Sequence, residues 1–291
     1  MPELSIGKLT LRKTPKMSIN EFKELTAFIH DKTGIAIPVR RKYLIENKLG
    51  NRLKELHLSS YADYIKYLKF SPKKESEFKK LCELITVNET SFFRDIKQLT
   101  VFKNIILPEI IKKREKQGNK ELKIWSAGCS TGEEPYTLGI ILHEVLKVSI
   151  IGWRIQIYAT DISPAVLIRA RRGIYNQYSL RTTPDHIIEK YFIKQPDGYK
   201  IHPKVQKLVN FQLLNITDPK HTKKVPNSDI IFCRNVIIYF DDEVKRRVIN
   251  NFYDKLKDDG YLFLGYSESI HRISKLFKSQ IKPGGIVYIK N

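Results

Sequence analysis

Residues 124–136 read IWSAGCSTGEEPY, an apolar stretch followed by a turn with two glycines and then by two glutamates. Within it, Gly128-Cys129-Ser130-Thr131-Gly132 matches the G-x-S-x-G pattern that presents a nucleophilic serine in hydrolases. A glycine-rich turn between a strand and a helix also binds nucleotide-like cofactors, because it lets the backbone approach the ligand closely. Other parts of the sequence are needed to distinguish a hydrolase turn from a cofactor-binding turn.

A hydrolase turn lies deep in its sheet and is followed along the chain by an acid and then by a histidine. Here Ser130 follows what we predict to be the first strand of the sheet. The later histidines fall in predicted helices, in an insertion or in surface loops, and we expect none directly after a strand end: His143, His186, His202, His221 and His271. We therefore do not expect a serine hydrolase.

Composition sets limits on the class of protein. A chain of 291 residues is long enough for about two domains. Cys82, Cys129 and Cys233 are far apart and form no cluster with histidine, so we expect neither a disulfide framework nor a metal site. The net charge of +21 favours an acidic partner. No apolar run is long enough to predict a membrane span or a signal peptide, so we expect a cytoplasmic monomer that does not insert into membranes.

The first part of the chain is predicted to be helical. Residues 1–17 form a basic tail, and Ser18 with Glu21 has the spacing of a capping box at the start of a helix that ends at Gly34. Further helical patterns continue to residue 86. One of them, after Pro38, places basic residues beside its apolar face: Arg41, Lys48 and Arg52.

From Leu122 onward, short apolar strands alternate with helical stretches, which predicts a mostly parallel sheet with helices on both faces. An insertion at about residues 172–206 contains the turn sequence Pro196-Asp197-Gly198, which predicts a small antiparallel unit. The expected fold is therefore α/β. It combines a Rossmann-like sheet over 97–291, a small antiparallel β-subdomain and an all-helical N-terminal domain over 18–86.

The two glutamates after the glycine turn help to identify the cofactor. In such a sheet, Gly128 and Gly132 allow close approach of the ligand, and Asp161 at the end of the next strand is suited to the ribose hydroxyls. Glu133 and Glu134 begin the following helix, where a dinucleotide would place its pyrophosphate. Two carboxylates would repel that group, but they suit the sulfonium and ammonium of S-adenosylmethionine.

Several further stretches resemble one family. They are, in chain order, VNETSFFRD (87–95), WSAGCSTGEEPY (125–136), ATDIS (159–163), LLNITD (213–218), FCRNVIIYFD (232–241) and LKDDGYLFLGYSES (256–269). Together they resemble the chemotaxis receptor methyltransferases, the CheR-type protein-glutamate O-methyltransferases. The resemblance runs from about residue 18 to the end of the chain, and it implies that the predicted sheet is a Rossmann-like class I methyltransferase sheet.

This resemblance implies a set of site residues. A linker at 87–96 would contribute cofactor contacts, and the set of cofactor-binding residues would be Asn88, Thr90, Arg94, Gly128, Glu133 or Glu134, Asp161, Asn215, Ile216, Arg234 and Asn235. We expect Arg94 and Tyr239 to orient the acceptor carboxylate. Each residue also has a structural interpretation: Asn88, Thr90 and Asp161 could cap helices, and Tyr239 could serve packing alone.

The resemblance also implies the reaction and the partner. The reaction would transfer a methyl group from S-adenosylmethionine to glutamate side chains on the cytoplasmic helices of chemoreceptors, leaving S-adenosylhomocysteine. Arg41, Lys48 and Arg52 would contact that acidic partner, although a solvated helix face would explain them equally well. The hairpin KQPDGYK is short, so we expect recognition through the helical domain and no tether to a receptor peptide.

Two alternatives remain to be tested. A nucleic-acid methyltransferase would share the cofactor domain and would suit the positive charge. However, Cys233-Arg234-Asn235 differs from the D-P-P-Y type of sequence that grips a flipped base, and no aromatic residues are interleaved with the basic ones. A cofactor-binding adaptor without activity is the second alternative.

Overall fold

The computed structural model describes residues 15–86 and 88–290. The described residues form two compact units, one made of 15–32 and 37–85 and the other made of 33–36 and the residues from 86 onward. Residues 1–14 of the predicted basic tail lie outside the described part of the chain.

The helices of the N-terminal region are α1 Ile19–Thr33, α2 Lys42–Glu55, α3 Tyr61–Phe70 and α4 Lys74–Ile85. The predicted capping box is present at α1, where the Ser18 N–H donates to Glu21 Oε2 at 2.7 Å and the Glu21 N–H donates to Ser18 Oγ at 3.1 Å. Gly34 follows α1 with a φ of +75°. Ser60 caps α3 by accepting a hydrogen bond from the Asp63 N–H.

The second unit contains the remaining elements. In chain order they are α5 Ile96–Val101, α6 Leu107–Lys116, β1 Glu121–Ala127, α7 Glu133–Leu146, β2 Arg154–Asp161, α8 Pro164–Arg172, β3 Ile174–Tyr175, α9 Asp185–Tyr191, β4 Phe192–Gln195, β5 Gly198–Ile201, α10 Pro203–Gln206, β6 Val209–Leu213, α11 Pro219–Thr222, β7 Ser228–Cys233, α12 Asp242–Lys255, β8 Leu256–Leu264, β9 Phe277–Lys282 and β10 Gly285–Lys290. A π-helical turn, Phe102–Ile106, joins α5 to α6.

Seven strands form the main sheet in the order β6-β2-β1-β7-β8-β10-β9. The strands from β6 to β8 pair in parallel, and β10 is antiparallel to both of its neighbours. Buried apolar side chains cover both faces of this sheet. A second sheet, β3-β5-β4, is antiparallel. The predicted fold class is confirmed, and β9 is a strand that the sequence analysis did not predict.

The topology places the turns that follow four of the parallel strands at the carboxyl-terminal edge of the main sheet. Strands β1, β2, β6 and β7 are adjacent and parallel, so their carboxyl ends meet there. Asp161 ends β2, and the segments that follow the other three strands contain Gly128, Asn215 and Asn235. This edge is where open α/β sheets bind ligands.

One segment has the length and composition of a membrane span, contrary to the sequence analysis. Glu133–Gly152 is 20 residues long and has a window of mean hydropathy 1.2, half of which is buried inside the protein. The core helix of a soluble protein passes the same test, and α7, which forms most of this segment, packs its side chains into the core.

Candidate functional site

The glycine turn after β1 has an unusual backbone. Gly128, Ser130 and Gly132 have φ values of +79°, +48° and +96°, so the left-handed conformation recurs at every second residue. The N–H groups of Gly128 and Cys129 both donate to the Thr160 carbonyl, at 2.8 and 2.9 Å. A Cβ atom on Gly128 would lie 2.5 Å from Val236 Cγ2. The turn therefore needs glycine at 128, both for its φ and for its closeness to Val236.

Asp161 holds this turn to the next strand. One carboxylate oxygen accepts a hydrogen bond from the Ser130 N–H and the other from the Ser163 N–H, each at 2.9 Å. Burial raises the pKa of Asp161, and these backbone N–H groups oppose the shift. Ser163 is the N-cap residue of α8, so Asp161 does not cap that helix. Its carboxylate is positioned at the strand end that commonly binds ribose.

Glu133 lines a cavity of about 400 Å³ beside the glycine turn. Its carboxylate accepts hydrogen bonds from the Thr131 hydroxyl at 2.7 Å and from the Ser179 hydroxyl at 3.2 Å. Asn88 and Thr90 line the same cavity, so the structure brings three of the residues implied by the resemblance together. Burial raises the pKa of Glu133.

Glu134 is directed away from these two hydroxyl groups. Its carboxylate accepts a hydrogen bond from the Ser126 hydroxyl at 2.8 Å and pairs with Arg234 Nη1 at 3.3 Å. Burial raises the pKa of Glu134, while the charge of Arg234 opposes the shift. The two neighbouring glutamates therefore differ in role, and Glu133 is the one that lines the cavity.

All three nitrogen atoms of the Arg234 guanidinium form hydrogen bonds with protein groups. Its side chain is only 3% exposed. Nε donates to Gln98 Oε1 at 3.1 Å, and Nη2 donates to the Arg94 carbonyl at 2.6 Å and to Asp95 Oδ2 at 3.1 Å. A cofactor contact at this position would therefore have to come from the backbone. Asp95 and Gln98 were not identified from the sequence, which offers no local signal for partners 136 or more residues away.

Asn235 follows Arg234 in the left-handed conformation, with a φ of +59°. At the end of β6, Asn215 Oδ1 accepts hydrogen bonds from the N–H and hydroxyl of Thr217, at 3.0 and 2.8 Å. Ile216 is buried, and its carbonyl accepts a hydrogen bond from Asn251 at 3.1 Å. Internal hydrogen bonds thus fix both strand-end segments.

The two residues predicted to orient the acceptor differ in their surroundings. Within the described residues, the hydrogen bond found for the Arg94 guanidinium joins Nη1 to the Glu89 carbonyl at 2.9 Å. Its remaining N–H donors are available for a ligand. Tyr239 is half-buried at the end of the 3-10 turn Ile237–Tyr239, and its carbonyl accepts a hydrogen bond from the Ala36 N–H at 2.8 Å.

In the helical unit, the predicted basic residues also differ. Arg41 and Lys48 are exposed at the surface, and partial burial of Lys48, with a further contribution from the charge of Arg41, lowers the pKa of Lys48. Arg52 instead binds Glu77, which is 2% exposed, with Nε at 2.9 Å from Oε1, and pairs with Glu55 at 2.6 Å. Arg52 therefore has an internal structural role in this unit.

One expectation about the histidines was wrong, because His202 directly follows β5. That strand belongs to the small antiparallel sheet, so His202 is not at the ligand-binding edge of the main sheet. Its Nδ1 accepts a hydrogen bond from the Lys204 N–H at 3.2 Å, as the N-cap of α10. Ser130 forms a hydrogen bond of 3.4 Å with the Asn88 carbonyl. The triad required for a hydrolase is not indicated.

The residues at this edge fit S-adenosylmethionine. A buried carboxylate, Glu133, faces the cavity beside the glycine turn. Asp161 adds a second acidic group close by, whereas the charge of Glu134 is balanced by Arg234. A cationic ligand without phosphate matches this charge, whereas a diphosphate would be repelled by it.

Comparison with known proteins gives the same result. The description "CheR methyltransferase, all-alpha domain" matches residues 20–86, and "CheR methyltransferase, SAM binding domain" matches residues 88–285. The chemotaxis protein methyltransferase of Borreliella burgdorferi is 37% identical over 254 residues, which cover 86% of this chain and 88% of that protein. Chemotaxis protein methyltransferase 2 of Vibrio cholerae is 35% identical over 259 residues, 88% of each chain. Chemotaxis protein methyltransferase 1 of Pseudomonas aeruginosa is 31% identical over 272 residues, 92% of this chain and 97% of that protein. The chain therefore belongs to the CheR methyltransferase family, and S-adenosylmethionine is its cofactor.

Proposed function

We propose that this methyltransferase modifies glutamate side chains on the cytoplasmic helices of chemoreceptors and produces glutamyl methyl esters. The proposal rests on one observation. The two CheR domains match residues 20–86 and 88–285, which is nearly the whole chain, and the relatives are named chemotaxis protein methyltransferases. A cytoplasmic location is part of the same proposal, because the acceptor helices are on that side of the membrane.

The chemistry of the acceptor supports this assignment. S-adenosylmethionine supplies an electrophilic methyl group on a positively charged sulfur. A glutamate with a pKa near 4.3 is more than about 99% ionised at pH 7, so it can attack without a general base. A carboxylate acceptor is therefore compatible with a site that has no histidine among the residues described above.

The chain's own residues then act by binding and orientation. We propose that Glu133, Asn88 and Thr90 bind the cofactor from the side of the cavity, and that Asp161 and Asn215-Ile216 bind it from the strand ends. Arg94 would pair with the acceptor carboxylate through N–H donors other than the one that is bonded to the Glu89 carbonyl. Holding both reactants in attack geometry can lower the barrier by roughly 7–11 kcal/mol.

We propose that Tyr239 and the backbone of Arg234 complete the wall against which the acceptor is oriented, and that the side chain of Asn235 contacts the cofactor. Arg234 would position this wall and would not touch the ligand with its guanidinium, which is already bonded to Gln98, Glu134 and Asp95. The acceptor helix itself would be recognised by the helical domain, through the exposed charges of Arg41 and Lys48.

One labelling experiment tests the proposal. The protein is incubated with cofactor that carries a tritiated methyl group, together with either a receptor cytoplasmic fragment or RNA, and the product is treated with mild base. We expect label on the receptor fragment that is released as volatile methanol, as a carboxyl ester requires. A receptor fragment with glutamine at its acceptor glutamates is the matched control and should remain unlabelled.

The other outcomes would support the alternatives. Base-stable label on RNA would indicate a nucleic-acid methyltransferase. Absence of any label, with cofactor binding intact in calorimetry, would indicate a binding adaptor and would contradict the proposed reaction.

A further inference from the structure

The carboxylate of Glu268 accepts hydrogen bonds from four backbone N–H groups. Oε2 accepts from the N–H groups of Asn235 and Gly265, at 2.7 and 2.6 Å, and Oε1 accepts from those of Val236 and Ile238, at 2.9 and 3.3 Å. The residue is 8% exposed and lies just after β8. A buried carboxylate with hydrogen-bond donors at both oxygens is strongly held in place.

Three of these four N–H groups belong to the segment that follows β7. Asn235 in this segment has a φ of +59°, a left-handed conformation that residues other than glycine adopt only occasionally. Val236 is the residue whose side chain lies against the glycine turn, 2.5 Å from where a Cβ of Gly128 would be. Glu268 thus fixes the backbone of a strained segment that borders the cofactor turn.

The same segment is also held through a side chain. Arg234 donates to Gln98 Oε1, and Gln98 Nε2 donates to the Leu264 carbonyl at 2.7 Å. Leu264 ends β8, only four residues before Glu268. The end of β8 therefore restrains the Arg234–Asn235 segment twice, once through Gln98 and once through Glu268.

We propose that Glu268 is a positioning residue for methyl transfer, which holds Asn235 and Val236 in the conformation that the cofactor site requires. This inference rests on the proposed cofactor contact of Asn235. Glutamine cannot replace Glu268, because its amide nitrogen would face two of the four N–H donors and could accept from neither.

Gly265 provides an independent way to disturb the same group. A Cβ at this position would lie 2.6 Å from Glu268 Oε2 and 2.9 Å from the Asn235 nitrogen. Gly265 is not among the residues with a positive φ, so alanine is compatible with its backbone conformation. Gly265→Ala should therefore displace the carboxylate and also press directly on Asn235.

The test compares Glu268→Gln and Gly265→Ala with Ser267→Ala, whose exposed side chain makes it a matched control in the same turn. Cofactor Kd is measured by calorimetry at a temperature well below each variant's Tm, and kcat with a receptor fragment is measured under the same conditions. We expect both network variants to bind the cofactor at least about tenfold more weakly and the control to match the wild type. The receptor KM should change little, since Arg41 and Lys48 are untouched.

A double-mutant cycle with Asn235→Gly tests whether Glu268 acts through Asn235. Glycine keeps the left-handed conformation and removes only the side chain. We expect Glu268→Gln to add less loss of affinity in the Asn235→Gly background than in the wild type. If Asn235→Gly alone binds the cofactor with wild-type affinity, the proposed contact between Asn235 and the cofactor is wrong. That result is distinct from a failure of the Glu268 proposal.

The Glu268 proposal is overturned if Glu268→Gln and Gly265→Ala lower Tm but keep wild-type cofactor Kd and kcat while folded. That result would mean that the carboxylate stabilises the fold alone. Full additivity in the cycle would also overturn it, because it would show that Glu268 does not act through Asn235.

Discussion

Glu133 and Glu134 are neighbours in the sequence, but their carboxylates contact different groups. Adjacent positions in a helix point about 100° apart, so the two carboxylates cannot serve the same surface. Glu133 meets Thr131 and Ser179 at the cavity, and Glu134 meets Ser126 and Arg234. The sequence identified the pair, and the tertiary contacts separate their roles.

The raised pKa of Glu133 leads to a pH prediction. In the folded protein its pKa lies above the ordinary value of 4.5, so the folded state binds more protons than the unfolded chain between the two values. Its contribution to stability is greatest below about pH 4.5 and is lost as the pH rises through the folded value. Cation binding has the opposite dependence, because it requires the ionised carboxylate.

We therefore expect cofactor affinity to increase as the pH is raised from 4.5 through the folded-state pKa of Glu133, and this increase to be smaller in Glu133→Gln. Calorimetry at a series of pH values measures the effect. Glu115→Gln, at an exposed position of α6, serves as the control and should retain the wild-type dependence. An unchanged pH dependence in Glu133→Gln would contradict the proposed role.

Gly128 gives a second prediction at this scale, with Gly118 as its matched control. Both glycines have left-handed φ values, +79° and +65°, so alanine strains the backbone by roughly 1–2 kcal/mol at either position. Only at 128 would the new Cβ meet another atom, Val236 Cγ2, and no atom lies within 4 Å at 118. We expect Gly128→Ala alone to weaken cofactor binding, measured as Kd, and equal Kd values in the two variants would disprove this.

At the scale of elements, the sequence pattern was most informative where an element has one apolar face. Helices α1, α3 and α4 and strands β1, β2 and β7 follow the periodicities that the sequence shows. Strand β9 was missed because its sequence, FKSQIK, is mostly polar and its side chains are mostly exposed at the sheet edge. An edge strand with one buried face residue has little pattern to detect.

Helix α2 carries a stability prediction. Arg52 neutralises Glu77, which is buried and also accepts a hydrogen bond from the Tyr64 hydroxyl at 2.9 Å. Removing one partner of such a pair leaves an uncompensated buried charge. We expect Arg52→Met to lower the free energy of unfolding by roughly 2–4 kcal/mol, somewhat below the usual range because Arg52 is 21% exposed.

Urea denaturation of Arg52→Met measures this loss, with Lys54→Met in the same helix as the control. The double variant Arg52→Met/Glu77→Gln should recover part of the lost stability, because it removes the stranded charge. Loss of receptor binding without loss of stability in Arg52→Met would instead favour the original prediction that Arg52 contacts the partner.

At the scale of the whole molecule, the net charge of +21 leads to a prediction about salt. Exposed charges such as those of Arg41 and Lys48 attract an acidic helix over distances that salt screens, with a Debye length of about 10 Å at 0.1 M. Buried carboxylates beside the glycine turn are screened much less. We expect the receptor KM to rise with ionic strength while the cofactor Kd changes little.

Charge reversal at Arg41 and Lys48 should raise the receptor KM at low salt and flatten its salt dependence, with Tm and cofactor Kd unchanged. Steady-state methylation at several salt concentrations measures both effects. If the double reversal also weakened cofactor binding, the proposed division of roles between the two units would be wrong.

The sequence by itself determined the fold class, the family and the cofactor, because apolar periodicity and the motifs around the glycine turn are local patterns. Only the tertiary structure decided which of these residues face the cavity. It shows that Arg52 pairs with Glu77 and that Arg234 is bonded to Gln98, Glu134 and Asp95. It also shows that four backbone N–H groups donate hydrogen bonds to Glu268. The physical reason is distance along the chain: apart from Gly265, which lies three residues from Glu268, these partners are 25 to 139 residues away, and nothing in the local segment specifies them.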